Sequence, residues 1–229
     1  MMKLRQWLAK SQREVWHGWA GRAYHKGRYQ LRLSVVQAHL TECLEMASRG
    51  PLRIVSICAG DGRDVIGVLR SHSRRTEVTA WLVELDRESV AAGLRLAKSA
   101  GLGKSVTFLH QDATAYETYR EIAPSDILLV CGVWGHVPVH ERSPLVRAVT
   151  CLCRPGGTVI WTCGTKTGGT RLQEIQSLFT GSSWEIVRLS STPDKRWAVA
   201  THRYCGPPNA LPRSGPIFNF QRNAGNDAT

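Results

Sequence analysis

Short apolar runs alternate with helix-like segments from residue 51 onward. Five strand-like runs, rich in Val, Ile and Leu, cover residues 52–58, 77–84, 104–109, 125–131 and 156–163. Helical patterns follow them at 62–71, 87–100, 114–122, 139–153 and 168–179. The runs show little alternation with polar residues, which is typical of strands covered on both faces. The pattern therefore predicts an α/β fold with a doubly wound, mostly parallel sheet.

The end of this region departs from the alternation. Two strand-like runs, 184–190 and 196–204, follow each other with no helix between them. The residues that join them, Ser191-Thr192-Pro193-Asp194, are typical of a turn. We therefore expect a C-terminal antiparallel hairpin, which brings the sheet to seven strands with one strand running against the others.

The chain divides into three parts by composition. Residues 1–50 contain two helical patterns, 1–20 and 29–48, and are predicted to form an N-terminal helical cap. Residues 51–205, which carry the alternating strands and helices, are predicted to form a Rossmann-like domain. Residues 206–229 are rich in Pro, Gly and Asn and are expected to lie extended or partly disordered, with Ile217, Phe218 and Phe220 available to dock.

Charge and cysteine usage limit the classes of protein. The net charge is +12, with 10 Lys and Arg against 3 Asp and Glu in residues 1–53. Such a basic flank fits either an anionic partner or simple solubility. The seven cysteines form no CxxC pair, which favours reduced thiols and no zinc site. Because no apolar run reaches a membrane span and the N-terminus lacks a signal-peptide pattern, we expect a cytoplasmic protein.

The stretch RIVSICAGDGRDV, residues 53–65, runs from a strand through glycines into a helix, where backbone usually approaches a ligand closely. A dinucleotide fingerprint would need a third glycine where Val65 stands, and a phosphate-binding loop would end in Gly-Lys-Ser/Thr. Asp61 and Asp64 would repel a pyrophosphate. A ligand without phosphates, such as S-adenosylmethionine (SAM), fits better.

Four motifs occur in the order and spacing typical of class I SAM-dependent methyltransferases, and together they cover residues 52–165. They are the turn Ala59-Gly60-Asp61-Gly62, the acid Glu84 that closes the second strand, Asp112 after the third strand, and Arg154-Pro155-Gly156-Gly157-Thr158 before the fifth. The sequence resembles that family. Trp16-His17, the segment from Arg32 to Gln37, and Gly132-x-x-Gly135 are further similar to uncharacterised bacterial members.

This resemblance implies a SAM site. Glu84 would accept hydrogen bonds from the ribose hydroxyls, Asp112 from the adenine amine, and the Ala113 N–H would face an adenine ring nitrogen. Glu84 paired with Arg87, and Asp112 as a helix N-cap, remain alternatives. The full set of implied cofactor-binding residues is Ala59, Gly60, Asp61, Gly62, Glu84, Leu85, Asp112, Ala113, Cys131 and Gly132.

Two positions depart from the family pattern. Ser56 stands where the family usually has an acid, and Cys58 stands where it usually has a glycine. The missing acid leaves open how the ammonium of SAM is held, with Asp61, Asp64 or a backbone carbonyl as candidates.

Candidate catalytic residues lie where the acceptor would bind, beyond the fourth strand and under the cap. His136 is the leading candidate for a general base because histidine titrates near neutral pH, although it equally fits a helix cap or a pocket wall. His17 and Tyr24 lie in an aromatic-rich segment, 16–29, that fits a lid or ordinary packing. His136 and His140 share an i, i+4 spacing, but Pro138 lies between them and no third ligand is evident, so no metal site is predicted.

Three functions follow as the main hypotheses, and a dinucleotide-dependent oxidoreductase is a fourth. The compact cap favours methyl transfer to a small-molecule acceptor. The basic flanks suggest a ribosomal or transfer RNA methyltransferase instead. The altered Ser56 and Cys58 positions suggest a SAM-binding protein without catalysis. No membrane partner is expected, and the oligomeric state is a monomer or a homodimer.

Overall fold

The structure is a computed structural model that describes residues 28–165 and 169–220. Its seven strands form a single sheet with the order β3-β2-β1-β4-β5-β7-β6. The strands are β1 (Leu52–Ile57), β2 (Val78–Glu84), β3 (Val106–His110), β4 (Ser125–Val130), β5 (Cys153–Gly164), β6 (Trp184–Ser191) and β7 (Trp197–Tyr204). The predicted seven-stranded α/β fold is confirmed.

Six strands run in the same direction, and β7 lies antiparallel between β5 and β6. The chain order reverses between β1 and β4, which are neighbours in the sheet. In open α/β sheets, ligands bind at the carboxyl ends of the strands beside this switch point. This edge of the sheet is therefore the place to look for a site.

Helices cover both faces of the sheet. Three of them, α1 (Arg28–Met46), α2 (Arg63–Leu69) and α3 (Arg87–Ser99), contribute buried side chains to the core on one face. The other face is covered by α4 (Val139–Leu152) and α5 (Thr170–Thr180), with Trp134 and Phe179 among the buried side chains. Within the predicted cap, the described helix α1 thus lies directly on the sheet, with Val36 and Leu40 in the core.

The helix predicted at 114–122 is wrong in extent. Only a short 3₁₀ helix, Tyr116–Tyr119, forms there. The Tyr116 N–H donates to the Gly215 carbonyl of the C-terminal tail (3.0 Å), and the Ile217 N–H donates to the Thr114 carbonyl (2.7 Å). Because these backbone groups pair with the tail, they take no part in a longer helix.

The tail contacts this segment through Gly215, Pro216 and Ile217, and the side chains of Ile217 and Phe218 are buried. The predicted docking of these two side chains is confirmed. Within the described part of the chain, no helix is both long enough and apolar enough to pass through a bilayer.

Candidate functional site

The glycine turn links β1 to α2 at the carboxyl edge of the sheet. Cys58, Gly60 and Gly62 have φ angles of 52°, 58° and 66°, in the left-handed region. The turn is closed by the Gly62 N–H, which donates to the Ala59 carbonyl at 3.0 Å. Cys58 therefore adopts a backbone conformation that a side chain normally disfavours and that glycine adopts readily.

Glu84 ties the turn to the end of β2. The Gly60 N–H donates to its Oε2 and the Asp86 N–H donates to its Oε1, each at 2.8 Å. Burial raises the pKa of Glu84, and the two backbone donors oppose that rise. Glu84 forms no ion pair with Arg87 in the described ranges. Each carboxylate oxygen keeps a lone pair beyond the one that its backbone donor uses.

The loop after β3 carries Asp112 and Ala113. Asp112 Oδ1 accepts from the N–H and the hydroxyl of Thr114, both at 2.8 Å, so the local turn-capping role exists. Asp112 Oδ2 accepts no hydrogen bond from the described residues. Ala113 is buried, and its carbonyl accepts from the Tyr119 hydroxyl at 2.8 Å. Leu85 lies beside this loop, with its carbonyl 3.0 Å from His110 Nε2.

Cys131 and Gly132 follow β4 at the same edge. Gly132 has a φ of 80°, and its N–H donates to Thr162 Oγ1 at 2.8 Å. Burial raises the pKa of the Cys131 thiol, so it stays protonated at neutral pH. The structure thus places all ten cofactor-site candidates around the carboxyl ends of β1, β2, β3 and β4.

Arg32 completes this edge, and the sequence interpretation gave it no role in the site. Its guanidinium stacks over Tyr29 and Trp197, with 4.8 Å from Cζ to each ring centre. A Cβ on Gly132 would lie 3.5 Å from Arg32 Nη1. That Nη1 is buried and has no hydrogen-bond partner among the described residues. A buried charged donor without a partner is costly, which points to an anion that completes it.

The two aspartates of the turn differ in their surroundings. Asp61 pairs with Arg63, whose Nε lies 2.8 Å from Oδ1. Burial raises the pKa of Asp64 to about 6, with the Val65 N–H and the Arg32 charge acting in the opposite direction. Asp61 therefore forms an ion pair with Arg63, whereas the pKa of Asp64 is influenced by the charge of Arg32.

His136 ends the 3₁₀ turn Trp134–His136 that follows β4. It is half-buried, and desolvation followed by the Arg171 charge lowers its pKa. His140 is exposed on α4. No group of three or more His, Cys, Asp or Glu side chains that could hold a metal ion occurs within 28–165 and 169–220. His17 and Tyr24 lie outside the described residues, so their placement stays a prediction.

Comparison with solved structures shows the fold. Magnesium protoporphyrin IX methyltransferase from Synechocystis PCC 6803, with S-adenosylhomocysteine (SAH) bound, has a TM-score of 0.68 and 13% identity over 87% of this chain and 99% of that one. The 1,6-didemethyltoxoflavin-N1-methyltransferase from Burkholderia thailandensis, with 1,6-didemethyltoxoflavin and SAH bound, has a TM-score of 0.65 and 19% identity over 90% of both chains.

A third structure, an O-methyltransferase family protein from Burkholderia thailandensis, has a TM-score of 0.61 and 14% identity over 78% of this chain. This chain spans only 56% of that protein. No curated protein matches by sequence. Residues 16–183, which are most of the chain, match the family model described as "Putative methyltransferase". The chain therefore belongs to this methyltransferase family.

Proposed function

We propose that the protein is a SAM-dependent methyltransferase. One observation carries the proposal: the glycine turn and Glu84 are joined by the hydrogen bond from the Gly60 N–H, at the carboxyl edge where the sheet order reverses. A ligand that contacts backbone and offers two hydroxyls to a carboxylate fits this arrangement. The related methyltransferase structures that hold SAH support this choice of ligand.

The residues present fit each part of SAM. Glu84 would hold the ribose hydroxyls through its remaining lone pairs, while Asp112 and the Ala113 N–H would face the adenine. Leu85, Cys131 and Gly132 would line the same site.

The amino-acid end of SAM carries one negative and one positive group, for which Arg32 and Asp64 are the proposed partners. Arg32 Nη1 is the buried donor without a partner, so it would bind the carboxylate. Asp64 would bind the ammonium and replace the acid that is absent at Ser56. When bound, SAM supplies a methyl group already activated on sulfur.

The remaining chemistry falls to the chain. An acceptor must be aligned with the methyl group, shielded from water and, for some nucleophiles, deprotonated. His136 would accept that proton, because its lowered pKa keeps the imidazole neutral at pH 7. His17 and Tyr24 remain proposed acceptor-side residues.

The test of the proposed function is calorimetric titration with SAM and SAH. In Glu84→Gln, the new amide N–H would face a backbone N–H, so we expect binding to weaken about 10- to 100-fold. Glu45→Gln, an exposed substitution on α1, is the matched control and should bind like the wild type. Absence of binding by the wild-type protein, or equal binding by Glu84→Gln, would contradict the proposal.

We infer a small-molecule acceptor, as the toxoflavin-type and porphyrin-type substrates in the names of related structures support. Methyl transfer to ribosomal or transfer RNA is the alternative, and a steep loss of binding with added salt would favour it. A SAM-binding protein without catalysis is the third hypothesis, which turnover with any acceptor would exclude. A cytoplasmic location and a monomeric or homodimeric state remain predictions.

A further inference from the structure

A second positively charged cluster lies beyond the ends of β4 and β5, apart from Arg32. It consists of Arg142 on α4 and Arg171 in the first turn of α5, with His136 beside it. The thiol of Cys163, near the end of β5, is influenced by the charges of both arginines, so they share one neighbourhood. The turn that carries His136 follows β4, at the same edge of the sheet as Cys131 and Gly132.

Glu174, the acidic residue next to this cluster, already forms an ion pair. Arg142, only 5% exposed, forms an ion pair with Glu174 through Nη1. Its Nε is buried and has no hydrogen-bond partner in the described ranges. Glu174 lies three residues after Arg171 on the same helix, yet its contact is with Arg142. The described part of the cluster therefore contains two guanidinium groups and one carboxylate, and that carboxylate is paired with Arg142.

Arg171 is the other cation of this cluster. It is half-buried, and it makes no hydrogen bond or ion pair with the residues that the structure describes. Its Nη1 lies 3.8 Å from the point that a Cβ on Gly135 would occupy, one residue before His136. Desolvation and then the Arg171 charge lower the pKa of His136. The positive charge is therefore directed at the turn that carries the candidate base.

We propose that Arg171 binds a carboxylate on a small-molecule acceptor and thereby places the acceptor's nucleophile beside His136. A planar guanidinium matches a carboxylate in a bidentate pair, and the half-buried position strengthens such a pair. This inference rests on the proposed function, because it names the substrate class of the same site. It predicts that the enzyme favours anionic acceptors over neutral ones of equal shape.

The experiment uses the full-length protein and the matched probes benzoate and benzamide. SAH is titrated first by calorimetry, which tests the proposed function independently. Each probe is then added to the saturated protein and its binding is measured by ligand-observed NMR. We expect millimolar binding of benzoate, about 10-fold weaker binding of benzamide, and loss of that preference in Arg171→Gln. Arg147→Gln, an exposed arginine on α4, should behave like the wild type.

The outcomes separate the two claims. If SAH fails to bind, the proposed function fails, and the probes are then tested on the free protein. If SAH binds but benzoate does not, or benzoate and benzamide bind equally, the carboxylate site is wrong. Binding of an RNA oligonucleotide that depends on Arg171 and falls steeply with salt would replace the small-molecule acceptor with nucleic acid.

A second measurement guards against a misfolded variant. Arg171→Gln should bind SAH as the wild type does, and NMR titration should show the pKa of His136 rising toward its ordinary value. An unchanged His136 pKa in a folded variant would show that Arg171 does not act on this turn.

Discussion

Alanine substitutions at two glycines of the same turn are predicted to have different effects on ligand binding and on stability. Both have positive φ angles, 58° at Gly60 and 66° at Gly62. A Cβ on Gly60 would meet no atom within 4 Å, whereas a Cβ on Gly62 would lie 2.4 Å from Leu82 Cδ1 and 3.0 Å from Phe108 Cζ. The space at Gly60 is open to a ligand, and the space at Gly62 is filled by the core.

The magnitudes follow from these contacts. The left-handed conformation costs an alanine about 1–2 kcal/mol, which applies at both positions. At Gly62, crowding against Leu82 and Phe108 adds about 1–3 kcal/mol. The free energy of unfolding should therefore fall by about 1–2 kcal/mol in Gly60→Ala and by about 2–5 kcal/mol in Gly62→Ala.

Urea denaturation and SAH calorimetry on the two variants test the reasoning together. Gly60→Ala should remain folded and lose at least about 10-fold in SAH affinity, because the added methyl group occupies the ligand's side of the turn. Gly62→Ala should lose mainly stability. Wild-type SAH affinity in Gly60→Ala would refute the close approach of ligand to this backbone, and equal stability of the two variants would refute the packing argument.

Three further predictions concern other parts of the molecule. Calorimetry should show that Arg32→Gln weakens SAH binding about 10-fold or more. The binding of 5′-methylthioadenosine, which lacks the amino-acid end, should stay unchanged in this variant. His39 has a pKa lowered to about 4 by burial, so protonation opposes folding as pH falls from 6.5 towards 4. When the pH is lowered from 7.5 to 5, the free energy of unfolding of His39→Gln, measured by urea denaturation, should rise by about 2 kcal/mol relative to that of the wild type. A stability difference between the two proteins that does not change with pH would contradict this prediction. Phe218→Ala should destabilise the tail by about 3–5 kcal/mol and weaken SAH binding, because the adjacent Ile217 N–H holds the loop at Thr114.

The sequence predicted the sheet well because its strands are buried on both faces. The runs of Val, Ile and Leu define β1, β2 and β4 to within about two residues, and the turn at Pro193 correctly indicates the hairpin. The order of the last three strands is harder to predict from the sequence. This is because β7 lies between β5 and β6, and no local sequence pattern indicates these pairings. The segment 114–122 failed because its partner, the tail near Gly215, lies about 100 residues away.

Within the site, the residues that follow strand ends were predictable, and those that depend on helix placement were not. Glu84 ends β2 and Asp112 follows β3, so their position at one edge follows from a parallel sheet. Arg32 reaches that edge only because α1 lies on the sheet near Trp197. The one feature of the sequence that could have indicated this role is the position of Arg32 in an otherwise apolar stripe of α1. The sequence likewise does not separate Asp61 from Asp64; the structure pairs Asp61 with Arg63, and the contact of Asp64 with the ammonium stays a proposal.

The absence of an acid at Ser56 does not leave the ammonium of SAM without a candidate partner in this arrangement. A carboxylate on β1 is one way to hold an ammonium, and Asp64 offers another from the first turn of the next helix. The Arg32 charge acts to lower the pKa of Asp64 against the larger effect of burial, so the two opposite charges lie in one neighbourhood. An amino-acid zwitterion carries the complementary pair. Loss of the β1 acid is therefore weak evidence that the cofactor was lost, and the hypothesis of a non-catalytic protein must rest on the acceptor side, where His136 and Arg171 can be tested directly.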